Sequence, residues 1–138
     1  MEIAILLLGI GIVIAIVFFI VRIQKTSNEL WKKDALNRLK KINNRFNDKD
    51  AYVMKSCVIE ADSLLDHCFK EMRVNGQTMG ERLKSARQYF PKNLYHAVRE
   101  AHRMRNVLIH EVDQAIPVDQ LVEHYRILKK AILEISQG

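Results

Sequence analysis

A segment late in the chain combines three residue types that together can bind and cleave a phosphodiester. Within residues 100–111, Arg105 is followed directly by Asn106, and His110 comes after three apolar residues. An arginine binds phosphate oxygens through two N–H groups and stays charged, and an imidazole exchanges a proton near neutral pH. A ribose 2′-hydroxyl supplies the nucleophile, so RNA cleavage by these groups needs no metal. The structural alternative is that Arg105 pairs with an acid while Asn106 and His110 make helix-end hydrogen bonds.

Helical geometry determines how these side chains can share a site. In an α-helix Arg105 and His110 lie about 140° apart around the axis and about 7.5 Å apart along it. Both can border one cleft if it follows the helix edge or if the helix ends near His110. Arg105 falls on or beside the apolar stripe of this helix, and a buried arginine needs a paired anion. Asp62 and Asp66, one turn apart on an earlier helix, are the expected partners, although such a pair can also simply face water.

Other common site chemistries lack their motifs. None of the five histidines follows a glutamate by three residues, as a carboxylate-bridged di-iron bundle requires. There is no zinc-protease helix motif, no P-loop, no glycine-rich dinucleotide turn and no serine nucleophile motif. Cys57 and Cys68 lie in one predicted helix, about 16 Å apart and beyond disulfide reach, so we interpret both as small buried apolar residues. We therefore expect no metal and no cofactor.

The spacing Arg105-Asn106-x-x-x-His110 resembles the signature of the HEPN superfamily (higher eukaryotes and prokaryotes nucleotide-binding). Members are α-helical domains that carry an arginine and, after four to six intervening residues, a histidine. Arg103, with six intervening residues before His110, also fits this spacing, but Asn106 favours Arg105. The resemblance implies a metal-independent endoribonuclease in which two subunits join their motifs into one composite site. It assigns proton transfer or steering of the 2′-hydroxyl to His110, phosphate stabilisation to Arg105 and positioning to Asn106.

The same resemblance leaves a non-catalytic interpretation open. An acid from an earlier helix often supports the family's site, which here implies Asp62 or Asp66. Many members have lost catalysis and act as binding or scaffold modules, so the alternative is a membrane-tethered interaction or RNA-binding module. A homodimer, and a role in a toxin–antitoxin or defence system, are also implied by the family alone. A third possibility is a helical domain unrelated to the family.

The N-terminal segment is long enough and apolar enough to cross a bilayer. Residues 3–21 contain no charged or polar side chain, and as a helix they span about 28 Å of a hydrocarbon core of about 30 Å. A cleavable signal peptide is the alternative, but the chain starts Met-Glu, the apolar run is long and no small-x-small site follows it. We predict an uncleaved anchor over residues 1–24.

The charges that flank this segment predict its orientation. One glutamate precedes it, whereas Arg22, Lys25, Lys32 and Lys33 follow it. Because positive flanking residues stay in the cytoplasm, we expect a single-pass cell-membrane protein with its N-terminus outside and residues 25–138 in the cytoplasm. Two cysteines that remain free thiols fit that reducing compartment.

Composition limits the number of domains and the class of partner. The chain has 138 residues with only 5 glycines and 2 prolines, which leaves room for one compact domain after the anchor. Its 22 Lys and Arg against 16 acidic residues give a net charge of +6. That charge favours anionic partners, either RNA or lipid headgroups, with a generic solvated basic surface as the alternative.

Apolar residues recur at helical spacing in five segments after the anchor: 27–46, 51–73, 78–89, 92–112 and 118–136. Residues 47–50 offer N-cap candidates for the second segment, and Thr78 with Glu81 matches a capping box at the third. No segment shows strand alternation. The predicted fold is therefore all-α: an N-terminal transmembrane helix followed by an antiparallel bundle of four long helices and one short helix.

Overall fold

The structure is a computed structural model that describes residues 1–110 and 116–137. Throughout these ranges the chain is helical and contains no strand, which confirms the all-α prediction. The elements in chain order are α1 (Glu2–Asn44), α2 (Ala51–Glu71), α3 (Met79–Ser85), a 3₁₀ turn (Ala86–Tyr89), α4 (Lys92–His110) and α5 (Val118–Gln137). The predicted end of the fourth segment at Val112 lies outside the described residues.

The first of two compact units is Met1–Trp31, and all of it except Met1 belongs to α1. Its apolar side chains from Ile3 to Ile23 are exposed. Among the described residues, α1 is the one helix that is long and apolar enough to cross a membrane. The large apolar surface thus has no protein partner inside this unit, as expected for a segment that lipid would surround.

A new helix was predicted to begin near residue 27, and this start is wrong because α1 continues to Asn44. The polar side chains at this point bond within the helix. The Thr26 hydroxyl donates to the Arg22 carbonyl at 3.0 Å, and the Trp31 indole donates to Asn28 Oδ1 at 2.7 Å. No glycine or proline occurs from residue 12 to residue 44 to interrupt the backbone hydrogen bonds. The described ranges therefore hold five α-helices.

The second unit, Lys32–Gly138, has α2 at its centre. This helix packs against α5, α4 and α3. Its buried apolar residues cover more than a single stripe because helices contact it on several sides: Met54, Cys57, Val58, Ala61, Leu64, Leu65, Cys68 and Phe69. Each large side chain of this kind contributes about 1.5–3 kcal/mol by leaving water. The core therefore holds α2 firmly, and with it any polar side chain that α2 carries inward.

Caps and one turn fix where α2 and α3 begin. The Asp50 carboxylate accepts from the backbone N–H groups of Tyr52 and Val53. At α3 the predicted capping box is confirmed, since Thr78 Oγ1 accepts from the Glu81 N–H and the Glu81 carboxylate accepts from the Thr78 N–H. Together these caps supply partners for backbone donors that each helix leaves unpaired.

Burial along α4 falls toward its C-terminus. Leu94, Tyr95, Val98 and Ala101 are buried. From residue 102 to residue 108 the side chains are mostly half-buried, and Ile109 and His110 are exposed. The polar residues of interest therefore lie where α4 leaves the core and where its side chains can reach both α2 and solvent.

Candidate functional site

The centre of the site is Asp62, a carboxylate on the buried face of α2. Only 1% of its surface is exposed. Asp62 Oδ1 lies 2.9 Å from His102 Nδ1, and Oδ2 lies 3.4 Å from Arg105 Nε. Both partners come from α4, three residues apart on one side of that helix. A buried carboxylate needs such partners because leaving water unpaired would cost several kcal/mol.

Arg105 is half-buried and contacts both Asp62 and Asn106. Its side chain is 27% exposed, and its Nε faces Asp62 as an ion pair without an aligned hydrogen bond. Its Nη1 donates to Asn106 Oδ1 at 3.1 Å. The guanidinium is thus held between a buried charge and a neutral amide, with part of its surface reaching solvent.

Asn106 connects Arg105 with His102. Its Nδ2 lies 3.5 Å from His102 Nε2, while its oxygen accepts from Arg105. An ionised carboxylate can only accept, so Nδ1 of His102 carries a proton toward Asp62, and Nε2 is left as an acceptor. We refer to Asp62, His102, Arg105 and Asn106 as the polar cluster.

The structure brings together only some of the residues that the sequence indicated. Asp62, Arg105 and Asn106 meet in the polar cluster. His110 lies outside it, exposed at the last residue of α4. Asp66, the other candidate partner of Arg105, instead accepts from Arg82 Nε at 2.7 Å and pairs with Lys70 Nζ at 2.8 Å.

His102 is a member of the site that sequence reasoning missed. It precedes Asn106 by four residues and therefore lies on the same face of α4. That spacing is a local signal, but a histidine and an asparagine one turn apart are common in helices. The decisive partner is Asp62, forty positions earlier in the chain.

A basic cleft opens beside the polar cluster, between α3, the 3₁₀ turn and α4. Its volume is about 780 Å³, within the range typical of ligand sites. The residues that line it are Gly80, Leu83, Lys84, Arg87, Tyr95, His96, Arg99, Glu100, His102, Arg103 and Asn106. Two members of the polar cluster, His102 and Asn106, thus also belong to the cleft wall, whereas Arg105 and His110 lie outside that lining.

Positive charge dominates the basic cleft. Lys84, Arg87, Arg99 and Arg103 contribute four permanent cations, and Glu100 is the single acid among the lining residues. Glu100 accepts from Arg103 Nε at 3.0 Å, which offsets its charge. Arg87 and Arg99 also lie over the Tyr95 ring, at 5.8 and 6.0 Å from its centroid. The cleft therefore favours an anionic ligand of several phosphates over a neutral one.

Asp66 and Arg82 attach α3 to α2 at the edge of the cleft. Burial is the largest single effect on Asp66 and acts to raise its pKa, but hydrogen bonds from Arg82 and Lys70 together lower the pKa below its ordinary value. Arg82, which is buried, also donates through Nη1 to the Gly76 carbonyl at 2.7 Å. This pairing holds the wall of the cleft that carries Gly80 and Lys84.

Within the described ranges, no group of three or more His, Cys, Asp or Glu side chains is arranged to hold a metal ion. Comparison of the chain with models of protein families, with curated proteins and with solved structures gave no match. The likeness to HEPN proteins therefore depends on the Arg105-Asn106-x-x-x-His110 spacing and on the helical fold.

Proposed function

We propose that this protein is a membrane-anchored, HEPN-like endoribonuclease that binds RNA in the basic cleft and cleaves it without a metal ion. The observation that carries the proposal is that the cationic lining of the cleft continues directly into the polar cluster through His102 and Asn106. A phosphodiester backbone needs several cations along its path, and a cleavable phosphate needs polar groups at one point of that path.

In this proposal the residues divide the work by their chemistry. Lys84, Arg87 and Arg99 bind backbone phosphates. Arg105 stabilises charge that develops on the scissile phosphate, and Asn106 orients it. The 2′-hydroxyl attacks phosphorus, and the products are a 2′,3′-cyclic phosphate and a 5′-hydroxyl end. His110, exposed at the end of α4, takes part in proton transfer within a site formed by two copies of the chain.

One observation favours a second candidate, a membrane-tethered RNA-binding module without activity. Asp62 already neutralises Arg105, so part of the charge that a scissile phosphate would use is balanced inside the fold. The cations of the cleft keep their full attraction for RNA in either case. The two candidates therefore share binding and differ only in cleavage.

Full-length protein in detergent micelles, incubated with single-stranded RNA in EDTA, tests both candidates. We expect the wild type to cleave, and we expect Arg105→Ala and His110→Ala each to reduce the rate by about 100-fold or more. Arg126→Ala, which removes an exposed arginine from α5, is the matched control and should cleave normally. A folded wild type that binds RNA without cutting it establishes the binding module, and one that does neither refutes both.

We further propose that α1 anchors the protein, with the N-terminus outside and residues 25–138 as a cytoplasmic bundle of four long helices and one short one. The exposed apolar run of α1 and the cations Arg22, Lys25, Lys32 and Lys33 after it support this orientation. In inverted membrane vesicles, added protease should digest residues 25–138. Protection of these residues would show the opposite orientation, and a mature N-terminus beyond residue 21 would identify a cleaved signal peptide.

A further inference from the structure

The polar cluster holds a histidine in one defined tautomer beside the basic cleft. Asp62 is buried and lies 2.9 Å from Nδ1 of His102, so that nitrogen carries its proton toward the carboxylate. The second ring nitrogen, Nε2, is then an acceptor, with Asn106 Nδ2 as its donor at 3.5 Å. A carboxylate behind an imidazole both fixes the ring and stabilises the imidazolium that forms when Nε2 takes up a proton.

Nε2 of His102 lies opposite Gly80, which has no side chain, and both residues line the cleft. A Cβ placed on Gly80 would lie 3.9 Å from this nitrogen. Asn106 Nδ2 is the other close group, at 3.5 Å. The His102 side chain is 15% exposed, and a long side chain at position 80, the second residue of α3, would cover Nε2.

Arg105 gives Asp62 a cation, and His102 Nδ1 gives it the hydrogen bond that Arg105 Nε does not make. That contact uses Nδ1 alone, so it does not account for the place of His102 in the lining of the cleft. The second histidine of the cleft, His96, makes a useful contrast. It is exposed and packs edge-on against Tyr95, with ring centroids 5.5 Å apart, rather than against a carboxylate.

We propose that Nε2 of His102 is the proton acceptor for the attacking 2′-hydroxyl, and that Asp62 positions the ring. This inference rests on the proposed ribonuclease function and adds the group that receives the proton. Nε2 takes the 2′-hydroxyl proton as the O2′–P bond forms and the P–O5′ bond breaks. The departing 5′-oxygen takes a proton from His110, which leaves a 2′,3′-cyclic phosphate and a 5′-hydroxyl. No oxidant, reductant or metal enters the balance.

A pair of RNA substrates separates a proton acceptor from a proton donor. The first is an ordinary single-stranded RNA, and the second carries sulfur in place of the bridging 5′-oxygen at the cleavage site. A thiol is far more acidic than an alcohol, with a pKa of about 8.5, so a thiolate leaves without being protonated. Loss of the donor is therefore rescued by the sulfur substrate, whereas loss of the acceptor is not.

We expect His102→Ala, in the full-length protein, to slow cleavage of both substrates by about 100-fold or more. His110→Ala should be slow on ordinary RNA and recover on the sulfur substrate. His67→Ala removes an imidazole that lies outside the cleft lining, 3.9 Å from the Asp34 carboxylate, and should cleave both substrates like the wild type. Circular dichroism and the melting temperature show whether each variant is folded.

A second variant tests the inference if His102→Ala does not fold. Gly80→Leu places a side chain over Nε2 but leaves Asp62, His102 and Arg105 unchanged, and it should also slow both substrates. Wild-type rates in either variant overturn the role of His102 while leaving the ribonuclease intact. Rescue of His102→Ala by the sulfur substrate overturns it as well, because His102 would then be the donor. A wild type that cleaves neither substrate overturns the inference and the proposed function together.

Discussion

At the scale of single residues, Asp62 is the position on which the candidate site depends. One buried carboxylate contacts two cationic or ionisable side chains of α4, His102 and Arg105. Removing either the acid or the arginine would strongly destabilise the fold, because the charge that remains would have neither water nor a partner around it. Asp62 therefore both stabilises the packing of α2 against α4 and orients the polar groups beside the cleft.

We predict that Asp62→Asn lowers the free energy of unfolding by about 3–5 kcal/mol, because Arg105 stays partly buried without its anion. Urea denaturation of the wild type and the variant measures this difference. Glu100→Gln is the matched control, since it breaks an exposed pair with Arg103 whose side chains are 61% and 70% exposed. That pair is worth about 0–1 kcal/mol. Equal losses of unfolding free energy for the two substitutions would show that Asp62 stabilises the fold no more than an exposed acid does.

The two cysteines give a second prediction at this scale. Burial raises the pKa of the Cys57 thiol, and it raises that of Cys68 to about 12. Because the thiolate is the reactive form, neither cysteine should react with a charged thiol reagent at pH 8 in the folded protein. Both should react in guanidinium chloride. Rapid labelling under native conditions would mean that the core around α2 opens readily.

At the scale of elements, the cleft exists because α3 is held against α2 while α4 lies beside it. Asp66 and Lys70 of α2, Arg82 of α3 and the Gly76 carbonyl form one hydrogen-bonded attachment. The turn that leads into α3 is equally constrained. Gly76 has φ of +144°, a conformation that side chains disfavour, and a Cβ there would lie 2.5 Å from the Arg82 nitrogen. Shape and charge at this edge of the cleft thus depend on a few positions.

We predict that Asp66→Asn destabilises the fold by about 1.5–3 kcal/mol at pH 7, as expected for losing hydrogen bonds to charged partners. The pKa of Asp66 is lowered in the folded state, so its charge stabilises the fold above its ordinary pKa of about 4. That stabilisation is lost as the pH falls through the lowered pKa. The difference in unfolding free energy between wild type and variant, measured by urea denaturation, should therefore decrease toward pH 2.

The control for this pH series is Asp34→Asn. Asp34 belongs to α1, is 57% exposed and lies 3.8 Å from Arg38. An exposed pair of this kind contributes little, so its removal should change the unfolding free energy by less than about 1 kcal/mol at any pH. If Asp66→Asn lowers the unfolding free energy by the same amount at every pH, the stabilising role assigned to the Asp66 charge is wrong.

Replacing either of two glycines near α3 with alanine should change the stability of the fold, but in opposite directions. Gly76→Ala should cost about 1–3 kcal/mol, because of the positive φ and the crowding of the new Cβ. Gly80→Ala should stabilise α3 by about 0.5–1 kcal/mol, because its new methyl would meet only His102 Nε2, at 3.9 Å, inside a helix. Melting temperatures of the two variants measure both signs. Destabilisation by Gly80→Ala would mean that the wall of the cleft tolerates no added atom.

At the scale of the whole molecule, charge is distributed unevenly. The chain carries a net +6, and four of its cations line one cleft beside the polar cluster. The N-terminal unit is an exposed apolar helix, and the second unit has a buried core of its own. These two features are the ones that the proposed membrane-anchored, RNA-binding protein requires.

We predict that affinity for single-stranded RNA falls with rising salt, with a logarithmic slope of about −0.7 for each phosphate that the cleft neutralises. Arg87→Ala removes one cation from the cleft, so the slope should become less negative by about 0.7. Arg126→Ala, on the exposed face of α5, should leave it unchanged. Fluorescence anisotropy over a range of salt concentrations gives the slopes. An affinity that is independent of salt would exclude the basic cleft as the RNA site.

Much of the secondary structure was predictable because its signals are local. Ala35, Leu39 and Ile42 follow helical spacing and are all buried, and the caps at Asp50 and Thr78 form as their side chains require. The start predicted near residue 27 failed for an equally local reason. Ser27 and Asn28 resemble cap residues, but the helix continues through both, and the Asn28 side chain accepts from the Trp31 indole instead of capping a new helix.

The sequence by itself determined an all-α chain, an apolar N-terminal helix and the Arg105, Asn106 and His110 segment. Only the tertiary structure decided that Asp62 meets Arg105, that Asp66 meets Arg82, and that His102 joins the site while His110 lies outside the polar cluster. The physical reason is that helical periodicity defines which face of a helix is buried, but not which residue of a second helix that face meets. That choice depends on the packing of whole helices, which joins residues 62 and 102 across forty positions of chain.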